Sequence, residues 1–172
     1  MLLALGESYQ IETQINIPID QIGTVQWTPS TGLNCDTCLN PLATPLLTTQ
    51  YKVIVVNDKG CTDRATLLLQ VDRRVDIYVP NIFSPNGDNE NDVFMIFADM
   101  RGVKNIKSFQ VFSRWGELVH EYYNFEPNNP AFGWNGRFNA QDLNPAVFVW
   151  YAVIELVDGS EVLYKGDVTL ER

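Results

Sequence analysis

Residues 80–94 read Pro80-Asn81-Ile82-Phe83-Ser84-Pro85-Asn86-Gly87-Asp88-Asn89-Glu90-Asn91-Asp92-Val93-Phe94, with two prolines, one glycine and six Asn or Asp side chains in fifteen positions. Pro85 fixes its own φ and drives Ser84 towards extended backbone. Gly87, directly after Asn86, takes positive φ without a Cβ penalty. The Asn and Asp side chains can accept from nearby backbone N–H groups, replacing the ladder partners that a strand would supply. The stretch therefore reads as a built corner between two strands. Its apolar pairs, Ile82 with Phe83 and Val93 with Phe94, are expected core anchors.

Moving outward from the corner, both flanks carry strand signals. Upstream, Val75, Ile77 and Val79 alternate. Downstream, strands are expected over 94–97, 106–112 and 117–123, with a turn at Arg114-Trp115-Gly116. A long polar loop follows over 124–144, containing Gly133-Trp134-Asn135-Gly136. Residues 147–156 are nearly continuously apolar and aromatic, as in a central strand buried on both faces. Asp158-Gly159-Ser160 makes a hairpin turn to a last strand over 161–170. Further upstream, residues 9–17 alternate cleanly, with Tyr9, Ile11, Thr13, Ile15 and Ile17 on one face, and predict a half-buried antiparallel strand. Strands over 25–27, 51–56 and 65–71 follow, with Trp27 as a core residue and a tight turn at 57–60. Short strands separated by turn signals make the chain all-β. The expectation is two consecutive Ig-like antiparallel β-sandwich domains, residues 1–73 and 74–172, joined at the charged hinge Asp72-Arg73-Arg74.

Composition agrees. The chain has 172 residues, is 45% apolar and carries nine Phe, seven Tyr and four Trp, which supports packed cores and excludes disorder. A net charge of −9 with no basic stripe argues against nucleic acid as a partner. No apolar run approaches the roughly 20 residues of a membrane helix, so the chain is not expected to span a membrane by itself. Met1-Leu2-Leu3-Ala4-Leu5 is too short for a signal peptide and has no basic segment before it. With a strand starting almost at once, the chain is expected to be the C-terminal piece of something longer.

Three cysteines, Cys35, Cys38 and Cys61, offer two or three ligands where a closed zinc site wants four. A structural disulfide fits better, Cys35 with Cys38, leaving Cys61 buried or free; Cys35 or Cys38 with Cys61 is the alternative pairing. No catalytic constellation is present: the single His120 stands beside Glu121, and there is no Gly-x-Ser-x-Gly or His-Glu-x-x-His. Glu117 and Glu121 read as surface charge. The chain is not expected to be an enzyme and requires no cofactor.

Two resemblances are carried by motifs. Trp27-Thr28-Pro29-Ser30-Thr31-Gly32-Leu33, Cys35-Asp36-Thr37-Cys38, Asn40-Pro41, Thr48-Thr49-Gln50-Tyr51 and Asn57-Asp58-Lys59-Gly60-Cys61-Thr62 resemble PKD-like or Ig-like repeats of large Bacteroidetes surface proteins. That resemblance implies a stalk-like spacer. In the second half come Pro80 to Asp88 with Asn91-Asp92-Val93-Phe94, then Val111-Phe112-Ser113-Arg114-Trp115-Gly116-Glu117. Gly133-Trp134-Asn135-Gly136 and Tyr164-Lys165-Gly166 with Val168-Thr169-Leu170 follow in the right order. This half resembles the gliding-motility-associated C-terminal domain, the type B sorting domain of the type IX secretion system. It departs from the family pattern at Asp88-Asn89-Glu90, where Asp-Gly is usual, and at residues 145–148, which replace Gly-x-Tyr.

The resemblance implies a folded secretion signal. An outer-membrane translocon and a shuttle barrel would recognise it, with a dedicated outer-membrane partner possible, and it would place an adhesin-like parent on the outer face of the cell. The expected recognition residues are Arg114, Trp115, Tyr164, Lys165 and Gly166, with the C-terminal hairpin as docking face. One chemical site stands out. Asn86, Asp88, Glu90 and Asp92 place oxygens at every second position, as a structural calcium site would; the other reading is a turn whose side chains cap its own backbone. The alternative function is an extracellular carbohydrate- or ligand-binding module, with Trp134 as a sugar platform.

Overall fold

A computed structural model describes all residues, 1–172. The chain divides into two compact units, Met1–Arg74 and Val75–Arg172. Nearly all regular structure is strand, with two single-turn 3-10 helices.

The first unit contains β1 (Leu2–Ala4), β2 (Tyr9–Gln10), β3 (Ile22–Thr28), β4 (Leu42–Ala43), β5 (Thr49–Asn57) and β6 (Thr62–Asp72). Its main sheet has the order β1-β6-β5-β3, with β1 parallel to β6 and the other pairs antiparallel. A β2–β4 ribbon forms a second, smaller sheet. Leu3, Ile11, Val25, Trp27, Ala43, Tyr51, Val53 and Leu69 make the core. Trp27 donates its indole N–H to the Cys38 carbonyl at 2.9 Å, so the core tryptophan also tethers the cysteine loop.

The strand expected over 9–17 is cut to two residues. Odd positions from Tyr9 to Ile17 do turn inward, but beyond Gln10 no neighbouring strand lies alongside. The Ile11 N–H goes to the Pro41 carbonyl and the Thr13 N–H to the Asn40 side chain. Alternation reports which face is buried; a ladder also needs a partner at the same level. The N-terminal residues, which the sequence marks only as too short for a signal peptide, become β1 through parallel pairing with β6.

The second unit contains β7 (Ile77–Tyr78), β8 (Ile82–Phe83), β9 (Phe97–Ala98), β10 (Val103–Phe112), β11 (Leu118–Phe125), β12 (Arg137–Phe138), β13 (Gln141–Asp142), β14 (Ala146–Leu156) and β15 (Glu161–Leu170). Five strands make the main sheet in the order β11-β10-β14-β15-β8. Only the β8–β15 pair is parallel, and it joins just Ile82 with Thr169 and Phe83 with Leu170. One face of this sheet is covered by the bridge between Phe94 and Trp134, whose backbones exchange N–H···O bonds of 2.8 and 2.9 Å. These two rings pack on the sheet: Phe94 lies 5.5 Å from Phe109 and 6.0 Å from Trp150, and Trp134 lies 4.7 Å from Phe148. Phe83 closes the cluster at 5.2 Å from Trp134.

Three expectations change here. The strand over 94–97 shrinks to β9, since Phe94 belongs to the bridge. Of the four corner anchors, Phe83 and Phe94 are buried but Ile82 is 46% exposed, because β8 ends the sheet and turns Ile82 outward. Most consequentially, β14 is buried on one face only. Phe148, Trp150, Ala152, Ile154 and Leu156 point inward, while Val147 and Val149 on the opposite face are each more than half exposed.

Candidate functional site

The corner loop is held by its own side chains. Asp92 accepts the Gly87 N–H at 2.7 Å with one carboxylate oxygen and the Asn89 N–H at 2.9 Å with the other. Asp88 accepts from the Glu90 N–H at 2.8 Å and from the Asn86 amide at 2.9 Å, while the Asn86 carbonyl oxygen accepts the Asp88 N–H. The Glu90 N–H, followed by the Asn86 amide, holds the Asp88 carboxyl below its ordinary pKa. The Ser84 N–H to the Asn91 carbonyl, 3.0 Å, closes the loop. Asn89 stands at φ 69°, a left-handed conformation that asparagine tolerates better than most residues.

The oxygens of Asn86, Asp88 and Asp92 named for calcium are thus turned onto N–H groups, and no three His, Cys, Asp or Glu side chains converge to hold a metal. Hydrogen bonds among the loop's own groups hold it in this structure. Exchanging EDTA for millimolar calcium is expected to move the unit's Tm by less than about 1 °C in calorimetry, since only a ligand bound to the folded state raises Tm. A larger, saturable rise would place calcium in the loop.

Gly133-Trp134-Asn135-Gly136 has a packing explanation. A Cβ on Gly133 would lie 2.4 Å from Val93 Cγ1 and 2.8 Å from the Phe94 carbonyl oxygen, so the Phe94–Trp134 bridge needs glycine there. Trp134 is 1% exposed and donates its indole N–H to the Arg137 carbonyl at 3.0 Å. It therefore cannot serve as a sugar platform, which corrects the reading of this ring as a glycan contact.

The five residues expected to contact a partner fall in different places. Arg114 and Trp115 form the tip of the β10–β11 hairpin. Trp115 is 87% exposed, with the Arg114 guanidinium 5.6 Å from its ring centre. Lys165 lies on the open face of the sheet opposite Tyr151, while Tyr164 is half-buried opposite Ala152. Gly166 sits opposite Trp150, where a Cβ would meet the indole at 3.1 to 3.3 Å. Its role is to make room for that ring. The structure does not gather the five into one cluster.

What sequence reading missed is the open face itself. Val147 and Val149 are 52% and 53% exposed, and Leu163 is 60% exposed beside Val153. Phe112 stacks on Tyr151 at 5.6 Å, and Tyr123 donates to Glu121 at 2.7 Å. The signal was present as a doubly apolar strand, but it was read as burial on both sides.

His120, the single histidine, faces Phe109 at 5.7 Å and, protonated at Nε2, donates to the Phe132 carbonyl at 3.2 Å. Burial holds its pKa below the ordinary 6.5, outweighing the Phe132 hydrogen bond and Glu121. The unfolded chain binds this proton more tightly. The stabilisation is therefore complete above about pH 6.5 and is lost as pH falls through the lowered value. The unit's Tm is expected to drop between about pH 7 and 5, and His120→Gln to flatten that slope; an unchanged slope in the variant would assign the drop to other groups.

Cys35 and Cys38 are joined, with Cα atoms 5.7 Å apart, and Cys61 is free and exposed.

Comparison with curated proteins gives no match. Among solved structures, the chain is similar to fibronectin(III)-like modules of Clostridium thermocellum CbhA, with 14% identity and TM-score 0.29 over 98% of this chain and 87% of that one. It is also similar to Bacteroides ovatus SGBP-B of a mixed-linkage glucan utilization locus, with 13% identity and TM-score 0.34 over 99% and 43%. Dimeric latent PorU from Porphyromonas gingivalis gives 10% identity and TM-score 0.33 over 94% and 17%. The family described as CHU_C Type IX secretion signal domain matches residues 77–170, from the first residue of β7 to the last of β15. The match takes in the corner loop, the Phe94–Trp134 bridge and the whole five-stranded sheet, and by it the chain belongs to the family of type IX secretion signal domains.

Proposed function

We propose that the second unit is read, folded, by the type IX machinery through the open face of its β10, β14 and β15 strands. On this reading an outer-membrane translocon, a shuttle barrel and a dedicated outer-membrane partner receive it. Its parent is then exported from the periplasm to the outer face of the cell. The parent is an adhesin-like Bacteroidetes surface protein, with the first unit as spacer. The role is non-catalytic.

The observation that supports the reading is the row Val147, Val149, Tyr151 and Val153, exposed at its first two positions and half-buried at the last two, flanked by the exposed Leu163 and Lys165, in a domain of a secretion-signal family. A contiguous apolar face rimmed by charges marks a surface that binds protein. Trp115 at the hairpin tip adds a large amphipathic ring at low entropic cost, the kind of residue that anchors interfaces.

The test is a periplasmic reporter fused to residues 75–172, expressed with an intact type IX system and without its translocon. Surface or medium reporter in the intact host alone supports the reading. Retention in the periplasm of both hosts removes it for this unit by itself.

A further inference from the structure

We propose that the free edge of β15 pairs with the same edge of a second copy of this chain, antiparallel and two-fold symmetric about Leu163. The two five-stranded sheets then run on as one.

The edge is open and correctly oriented. The N–H groups of Thr169 and Glu171 point away from β14, bonding to the carbonyls of Asn81 and Phe83 at 2.8 and 3.0 Å. Backbone direction alternates along a regular strand, and β14–β15 pairing has no register shift. The backbone groups of Glu161, Leu163, Lys165 and Asp167 therefore face the same edge. β8 satisfies it only from Thr169 onward, leaving the stretch up to Asp167 without a strand alongside.

Two independent features select the partner and the register. The open stretch runs from the turn residue Gly159 to Asp167, and its midpoint is Leu163. With Leu163 opposite Leu163 of the other copy, Gly159 faces Asp167 at each end. The incoming strand then turns away before reaching β8. A shift by two residues towards Thr169 would drive the turn of one copy into β8 of the other.

Charge makes the same choice. In the symmetric register Glu161 stands opposite Lys165 twice, and all these residues lie on the open face. The shifted register would set Glu161 against Asp167. A lysine on an edge strand ordinarily discourages pairing; here its counter-charge lies four residues away on the same strand, as an isologous antiparallel contact requires. Glu161 also receives Lys107 at 2.6 Å, so in the pair it lies between two ammonium groups.

The experiment is sedimentation velocity on the 172-residue chain with Cys61→Ser, from about 10 μM to about 1 mM, a range that brackets weak protein association. A concentration-dependent dimer is expected. Lys165→Glu replaces both attractions with repulsions and should weaken the dimer about tenfold or more. Combining it with Glu161→Lys reverses both charges and should restore the affinity. As a readout independent of those variants, Leu163→Cys should cross-link on mild oxidation, because directly opposed hydrogen-bonded residues lie about 5.5 Å apart. Lys165→Cys should not. A monomer throughout the range overturns the proposal, as does a dimer indifferent to Lys165→Glu or a cross-link at 165 in place of 163. Val147 and Val149 lie off this edge, so substitutions there test the export reading without touching the dimer.

Discussion

Trp134→Ala is expected to destabilise the second unit by about 3–5 kcal/mol in denaturant unfolding, the cost typical of emptying a large aromatic site. The ring is almost fully buried between Phe83 and Phe148, and its indole N–H is satisfied by the Arg137 carbonyl. Removing it opens a cavity and also loosens the bridge that carries Phe94 onto the sheet. Because Phe94 touches Phe83, Phe109 and Trp150, the loss should spread through the aromatic cluster. A domain of this size holds only about 5–15 kcal/mol in total, so the variant should lose a large fraction of its stability. A change below about 1 kcal/mol would mean that the ring is not core and would reopen its use as a binding surface.

Val147→Glu with Val149→Glu should leave the fold intact while lowering export of the reporter by about tenfold or more, as expected when two apolar contacts are replaced by charges in an interface. Both side chains stand on the open face of β14, more than half exposed, so the substitutions cost the monomer little. Thermal unfolding measured beside export separates the two effects. Equal export with unchanged Tm would remove this face from recognition and direct attention to Arg114 and Trp115 at the hairpin tip.

Much of the fold was legible from local chemistry. The corner at residues 80–94 reads as a self-capped loop because short Asn and Asp side chains reach only their own neighbourhood. That is where the hydrogen bonds of Asp88 and Asp92 are made. Periodicity gave the long strands β5, β10, β14 and β15 to within a few residues. The order of motifs identified the family that spans residues 77–170.

What depended on distant parts of the chain was not legible. The parallel pairings of β1 with β6 and of β8 with β15 join residues about seventy to ninety positions apart, and no local pattern announces them. The same holds for Trp134: its sequence neighbours suggest a loop, and only Phe94, forty residues earlier, makes it core. Residues 11–17 show the converse, a correct face without a partner strand.

The run over 147–156 shows the limit most plainly. Sequence by itself determined that both faces of this strand are apolar, and that its partner strand carries Glu161, Leu163, Lys165 and Asp167 in alternation. Only the tertiary structure decided that one face meets the Phe94–Trp134 layer while the other meets solvent, and that β8 stops at Thr169. Hydropathy records what a side chain would gain by burial; which faces are covered is set by the number of layers the chain can supply. Here it supplies a cover for one side of the sheet and leaves the other open.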